Sequence, residues 1–133
     1  MPEAAERGDA QHLCASEQLA ERGDAMVFDV LQYRQPARAF ALRFDGRVVA
    51  YLNRCAHVAM ELDWTAGRFF DGDGQVLLCA SHGAAYDPSD GRCVGGPCAG
   101  RGGLRRLQVV EEGGVVYWRP DAGVRPRPEA PGA

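Results

Sequence analysis

Four side chains with metal-ligating chemistry stand in two short loops of this 133-residue chain. Cys55 and His57 occupy the first loop, and Cys79 and His82 occupy the second. Two thiolates and two neutral imidazoles make a compact set of four ligands. Such a set can hold one tetrahedral zinc ion, or a [2Fe–2S] cluster with both cysteines on one iron and both histidines on the other. The ligand types alone leave both metals open.

The order of these residues and their neighbours narrow the choice. Common zinc fingers place two cysteines in one loop and two histidines on a helix, whereas each loop here carries one of each. The second loop continues into Gly83 and Tyr86, and Gly95-Gly96-Pro97 follows further along. In this arrangement the sequence resembles the Rieske iron–sulfur family, which has a Cys-x-His loop, a Cys-x-x-His-Gly loop and a glycine–proline loop. The resemblance covers roughly residues 11–119 and favours iron over zinc.

The resemblance implies one [2Fe–2S] cluster per chain, with a role for each loop residue. Four residues would be its ligands: Cys55 and Cys79 on the inner iron, and His57 and His82 on the outer iron. Four more would support the cluster: Gly83, where backbone approaches it closely; Tyr86, whose hydroxyl reaches a ligand sulfur; and Gly96 and Pro97, which lie over it and limit the access of water.

Three positions depart from the high-potential members of the family. Those members carry an extra cysteine in each cluster loop and form a disulfide, but Met60 and Ala80 stand at these places. They also carry a serine that donates a hydrogen bond to a bridging sulfide, where this chain has Ala84. With fewer hydrogen bonds the oxidised cluster is favoured. We therefore predict a disulfide-free centre with a potential in the lower part of the Rieske range of about −150 to +300 mV.

Strands and tight turns dominate the rest of the sequence. Asp45-Gly46 joins two runs of β-forming residues, 40–44 and 47–52, and predicts a hairpin that leads into the first loop. Residues 68–70 and 75–78 predict a second hairpin that leads into the second loop, and 104–111 with 115–118 predict a third. The sequence therefore predicts an all-β fold, and the resemblance implies an antiparallel β sandwich or barrel with an inserted cluster-binding subdomain.

The composition of the sequence predicts the domain boundaries and the cellular location of the protein. Residues 1–10 read as a loose lead-in, 11–119 as the Rieske domain, and 120–133 as a disordered proline-rich tail. A net charge of −3 argues against a nucleic-acid partner. We expect no membrane association, because no apolar run approaches the about 20 residues that cross a bilayer. The acidic N-terminus lacks the apolar core of a signal peptide, so a cytoplasmic location is predicted.

The three remaining cysteines and a cluster of arginines each allow two interpretations. Cys14, Cys93 and Cys98 are expected to be small buried hydrophobes or inert thiols, although Cys93 and Cys98 bracket the proline loop and can be read as a redox-active pair. The basic cluster of Arg101, Arg105 and Arg106 is expected to be a solvated face, with a docking patch for an acidic redox partner as the alternative.

The predicted function is that of a Rieske-type ferredoxin. It would take one electron from a reductase and pass it to a terminal acceptor of the oxygenase type. Catalysis by this chain alone is not expected, because no second histidine and aspartate set for a mononuclear iron is present. A redox-sensing regulatory subunit is the alternative, and a structural zinc module is a third hypothesis.

Overall fold

The computed structural model describes residues 10–54, 62, 67–79, 83–96 and 102–126. Within these ranges the structure has the 3-10 turn Ser16–Gln18 and ten strands. The strands are β1 (Gln11–Ala15), β2 (Met26–Gln32), β3 (Gln35–Phe44), β4 (Arg47–Leu52), β5 (Leu77–Leu78), β6 (Ala85–Tyr86), β7 (Cys93–Gly95), β8 (Arg106–Glu112), β9 (Val115–Arg119) and β10 (Val124–Pro126). Among the described residues, no helix has the length and apolarity needed to cross a membrane.

Two antiparallel sheets divide the strands. Seven strands form one sheet in the order β1-β9-β8-β4-β3-β2-β10, which we call the base. The chain between β4 and β8 carries a three-stranded sheet, β5-β6-β7, and we call this part the insert. The all-β fold with an inserted subdomain is therefore confirmed.

Apolar side chains on the central strands point alternately to the two faces of the base, and a hydrophobic core lies on each face. In β3, Ala39 and Ala41 face the interior of the base, together with Leu107 and Trp118. The intervening Phe40 and Leu42 face the insert, where they join a second cluster of twelve buried residues. Because successive side chains of a strand point to opposite faces, this short stretch of sequence holds the two units together.

The turns explain why the base strands pair in this order. Asp45 and Gly46 have φ angles of 53° and 77°, which confirms the predicted hairpin between β3 and β4. The preceding hairpin, β2–β3, turns through Tyr33 and Arg34 with φ angles of 47° and 70°. Bulky residues rarely adopt this left-handed region, so turn chemistry gives no signal for that hairpin.

The other two predicted hairpins are present with different lengths. Strands β8 and β9 pair from Gln108↔Arg119 to Glu112↔Val115, close to the predicted bounds. The hairpin at 68–78 is reduced to one bridge, Phe70↔Leu77, although Leu78 N–H donates to the Phe69 carbonyl at 2.8 Å.

The ordered chain extends beyond the predicted start of the tail at residue 120. Strand β10 pairs with β2, and Val124 is fully buried in the base. The Asp121 carboxylate accepts hydrogen bonds from the N–H groups of Gly123 and Val124, which turns the chain into this strand. Pro126 fits because β10 is an edge strand, where a missing N–H is tolerated. Residues 1–9 and 127–133 lie outside the described residues, so the outer domain boundaries stay predictions.

Candidate metal centre

Cys79 is the predicted ligand that the structure describes. It follows β5 directly, is 1% exposed, and lies among the buried side chains between the base and the insert. Its thiol is not in a disulfide. Cys55, His57 and His82 lie outside the described residues, as does Pro97. The complete ligand set therefore stays a prediction, whereas the loop ends that would hold it lie within the described residues.

Two backbone hydrogen bonds close the second loop at its base. The Cys79 N–H donates to the Ala84 carbonyl, and the Gly83 N–H donates to the Cys79 carbonyl, both at 2.9 Å. Gly83 has a φ of +73°, a conformation that glycine adopts at little cost. No described protein atom lies within 4 Å of a Cβ built there. Among protein atoms, then, the backbone angle is what favours glycine at this position.

The third loop packs directly on the second. A Cβ built on Gly96 would lie 2.6 Å from the Gly83 carbonyl oxygen and 2.8 Å from Ala84 Cα. Gly96 also has a φ of +76°. Only glycine permits two backbone segments to approach this closely. Such a close contact is compatible with a loop that covers a metal centre, and the position of Gly96 over the cluster stays a prediction.

The ends of the first loop are tied by a buried asparagine. Asn53, 4% exposed, accepts a hydrogen bond from the Leu62 N–H through Oδ1 at 2.8 Å. Its own N–H donates to the Arg38 carbonyl at 2.8 Å, which fixes it to β3. Sequence reasoning missed Asn53. The available signal was a polar residue standing between the apolar end of β4 and Cys55.

Tyr86 and Cys93 occupy the core of the insert beside the second loop. Tyr86 is fully buried and pairs with Leu77 on one side and with Cys93 on the other. Its predicted contact with a ligand sulfur stays a prediction. Cys93 is disulfide-bonded, which corrects the expectation of an inert thiol there. Its partner lies outside the described residues, because neither Cys14 nor Cys79 is in a disulfide.

Cys14 behaves as the sequence predicts. It is 3% exposed in the base core, and burial raises the pKa of its thiol, with the Glu111 carboxylate contributing. A neutral, enclosed thiol is poorly reactive.

Tyr51 fixes the far end of the insert to the base. Its hydroxyl donates to the Pro88 carbonyl at 2.6 Å, and its ring would lie 2.7 Å from a Cβ on Gly91. Burial raises the pKa of Tyr51, so the hydroxyl stays protonated and available as a donor. Ser89 donates through its hydroxyl and its N–H to Asp87, which lowers the pKa of that carboxyl and stabilises the same turn.

The described residues fit a thiolate-ligated iron–sulfur centre. A buried cysteine precedes the second loop, Gly96 packs on the backbone of Gly83 and Ala84 at its end, and Leu62, Phe69 and Leu77 are buried in the same cluster as the cysteine. Thiolate ligation at a sheltered site is the chemistry that such clusters use. The structure thus brings the predicted residues Cys79, Gly83, Tyr86 and Gly96 into one region.

Comparisons with known proteins agree with this geometry. Residues 9–119 match the Rieske [2Fe-2S] domain family. The fold is similar to the ferredoxin of carbazole 1,9a-dioxygenase from Nocardioides aromaticivorans IC177, with 23% identity, 84% of this chain and 98% of that chain covered, and a TM-score of 0.65. It is also similar to the terminal oxygenase of that system from the same organism, with 23% identity, coverage of 92% and 34%, and a TM-score of 0.67.

A third similar structure is a reduced complex between oxygenase and ferredoxin in carbazole 1,9a-dioxygenase. The identity is 20%, the coverage is 90% of this chain and 30% of that chain, and the TM-score is 0.64. A comparison with curated proteins finds no match. Since the family match spans most of the sequence, the chain belongs to the Rieske [2Fe-2S] domain family.

Proposed function

We propose that this protein is a one-electron carrier whose single [2Fe–2S] cluster is held by Cys55, His57, Cys79 and His82. The observation that carries the proposal is the packing of Gly96 on Gly83 and Ala84, over the loop that begins at the buried Cys79. The cluster, when bound, stores and releases one electron. The chain determines the position of the cluster, its exposure to solvent and its potential.

Each described residue has a definite task in this proposal. Cys79 would present its thiolate from a buried site, and the hydrogen bonds at its loop ends would hold that thiolate in one position. Asn53 closes the first loop by accepting a hydrogen bond from the Leu62 N–H. Gly96 lets the covering loop approach closely enough to exclude solvent. Ala84 is fully buried and has no hydroxyl to donate, which supports a potential in the lower part of the Rieske range.

The proposed donor is a reductase, and the proposed acceptor is an oxygenase. The support is the similarity to a dioxygenase ferredoxin along 98% of its length, together with the existence of an oxygenase–ferredoxin complex in that system. The oxygenase itself is matched over 34% of its length. A cytoplasmic location stays a prediction from the sequence.

The cluster assignment is tested with purified protein. We expect a red-brown protein and, after reduction, an electron paramagnetic resonance spectrum with the low average g-value of histidine-ligated clusters. His57→Ala and His82→Ala should each abolish assembly, whereas His12→Ala, on the exposed side of β1, should assemble normally. Colourless protein with stoichiometric zinc would overturn the proposal in favour of a structural zinc module.

Kinetics separate the carrier from a redox-sensing subunit. A carrier must be reduced and reoxidised by its partners at the rate of catalytic turnover. A sensor would instead show a change in partner affinity between its two redox states, with slow exchange of electrons. Redox titration supplies the second check, because a potential above the middle of the family range contradicts the assignment to the lower part.

A further inference from the structure

Three arginine side chains lie around one groove on the base. Arg47, Arg106 and Arg119 have no carboxylate within ion-pair distance in the part of the chain that the structure describes. Other arginines of the base are paired, such as Arg43 with Glu111 at 2.6 Å. Arg34 and Arg125 also lack such a partner, but they stand on the β2–β3 turn and on β10, away from this groove.

The groove exists because two neighbouring strands separate. Strands β4 and β8 pair at Ala50↔Leu107 and Tyr51↔Arg106 only. Beyond these pairs the strands part and leave a space of about 660 Å³, lined by Val48, Arg106, Leu107, Gln108, Val109, Val110 and Arg119. Gln108 lies opposite Arg119 in the β8–β9 pair, and Arg106 is two residues along the same strand, so the three side chains share one face.

A second hollow continues the groove toward the β3–β4 turn. It measures about 310 Å³ and shares Val48 and Arg106 with the first. Arg47 and Ser89 line it, as does Asp45, whose carboxylate already accepts a hydrogen bond from Arg22 at 2.9 Å. The combined surface is therefore cationic, with half-buried valines between the guanidinium groups.

The structure redistributes the basic cluster seen in the sequence. Arg105 donates to both carboxylate oxygens of Asp121, at 2.8 and 2.9 Å, and is thereby neutralised. Arg101 lies outside the described residues. Arg106 remains, and it combines with Arg47 and Arg119 from two other strands.

We propose that this groove is the docking site for an extended acidic segment of a partner protein. Guanidinium groups bind carboxylates through paired N–H donors, and the valines offer apolar contact between them. The parted strand edges at Arg47–Val49 and Gln108–Val110 are no longer paired with each other, so an added extended peptide can hydrogen-bond there. The protein as a whole carries a net charge of −3, so the attraction for an acidic peptide comes from these arginines and is local to the groove.

This inference deepens the proposed function, since it names a surface for a partner of the same carrier. The residues lining the groove belong to β3, β4, β8, β9 and the β3–β4 turn of the base, with Ser89 contributed by the β6–β7 turn of the insert.

The test uses the cluster-loaded protein and a fluorescein-labelled peptide of alternating glutamate and valine. We expect saturable binding that weakens with added salt and that disappears when glutamine replaces glutamate in the peptide. The double variant Arg106→Gln/Arg119→Gln should weaken binding at least about tenfold, the equivalent of about 1.4 kcal/mol. The control Arg34→Gln/Arg125→Gln makes the same change in net charge and should alter binding less than about twofold.

Hydrogen exchange locates the bound peptide. Its addition should protect the amides of Val109 and its neighbours in β8, while cluster absorbance stays the same in every variant. Absence of binding to the wild-type protein, equal loss in both double variants, or protection confined to another surface would each overturn the inference. Peptide binding is measured without electron transfer, so its failure is distinguishable from failure of the proposed function.

Discussion

The base and the insert obtain their stability in different ways. Strands β2, β3 and β4 pair over long, regular registers, seven residue pairs for β2–β3 and six for β3–β4. The strands of the insert are two or three residues long. Point contacts compensate in the insert: a buried asparagine, a glycine packed on backbone, and a tyrosine hydroxyl bonded across to the base. We infer that the loss or addition of a single atom changes the stability of the insert more than that of the base.

The largest difference in stability between the two regions is expected when a glycine in each is replaced by alanine. In Gly96→Ala the new Cβ would lie 2.6 Å from backbone that cannot move aside, at a φ of +76°. Overpacking and left-handed strain should together cost about 3 kcal/mol or more, and the loops should lose the cluster. Iron content and thermal unfolding measure this effect.

Its matched control is Gly113→Ala in the β8–β9 turn of the base. Gly113 has a similar φ of +61°, but no atom of the residues that the structure describes lies within 4 Å of the added Cβ. The cost should be about 1 kcal/mol, from the backbone angle alone, with iron content unchanged. Equal effects of the two substitutions would contradict the proposed difference between the regions.

Asn53→Ala tests the closure of the first loop. The buried Leu62 N–H would lose its acceptor, which should cost about 1–3 kcal/mol. We expect faster hydrogen exchange at Leu62 and faster release of iron. The comparison is Gln18→Ala, which removes an exposed side-chain hydrogen bond to the Ala15 N–H and should cost about 0.5 kcal/mol. Unchanged iron release in Asn53→Ala would show that this hydrogen bond does not hold the site.

Ala84→Ser tests whether the missing hydroxyl lowers the potential. A donated hydrogen bond to a charged acceptor is worth about 1.5 kcal/mol, which corresponds to about 60 mV for a one-electron couple. Redox titration should therefore show an upward shift of that order. Ala85→Ser, one residue further in β6, should leave the potential unchanged. A downward shift for Ala84→Ser would contradict the assigned cause.

Glu111→Gln should have the smallest effect, because it changes a surface ion pair of the base. Hydrogen bonds from Arg43 lower the pKa of Glu111. This carboxylate therefore stabilises the fold above its unfolded pKa of about 4.3 and loses that contribution as the pH falls through its lower folded pKa. The variant should be about 0.5–1 kcal/mol less stable at neutral pH, and the deficit should vanish in acid. Urea unfolding between pH 3 and 7 measures it, with Glu17→Gln as the exposed control.

Local patterns predicted most of the base and little of the insert. Alternation and Asp45-Gly46 predicted the β3–β4 hairpin, since both signals lie within a few residues. The Tyr33-Arg34 turn escaped because these residues are not typical of positive φ, and β10 was hidden by the prolines around it. At the metal centre, the residue types of the two loops predicted the ligand set and the resemblance to the Rieske family implied the covering loop, and both stay predictions. The roles of Asn53 and Tyr51 could not be predicted, because their partners are remote in sequence.

The hairpins of the base also bear on the order of assembly. Strands β2, β3 and β4 follow one another in the chain and meet through two tight turns, so their contacts have low sequence separation and should form early. Pairing of β4 with β8 must first close the whole insert as a loop, at an entropic cost. We expect pulse-labelling hydrogen exchange to protect β3 before β8. The cluster would then bind to a protein in which β2, β3 and β4 are already paired. Because it would bind the native state and not the unfolded chain, its binding would stabilise the folded protein.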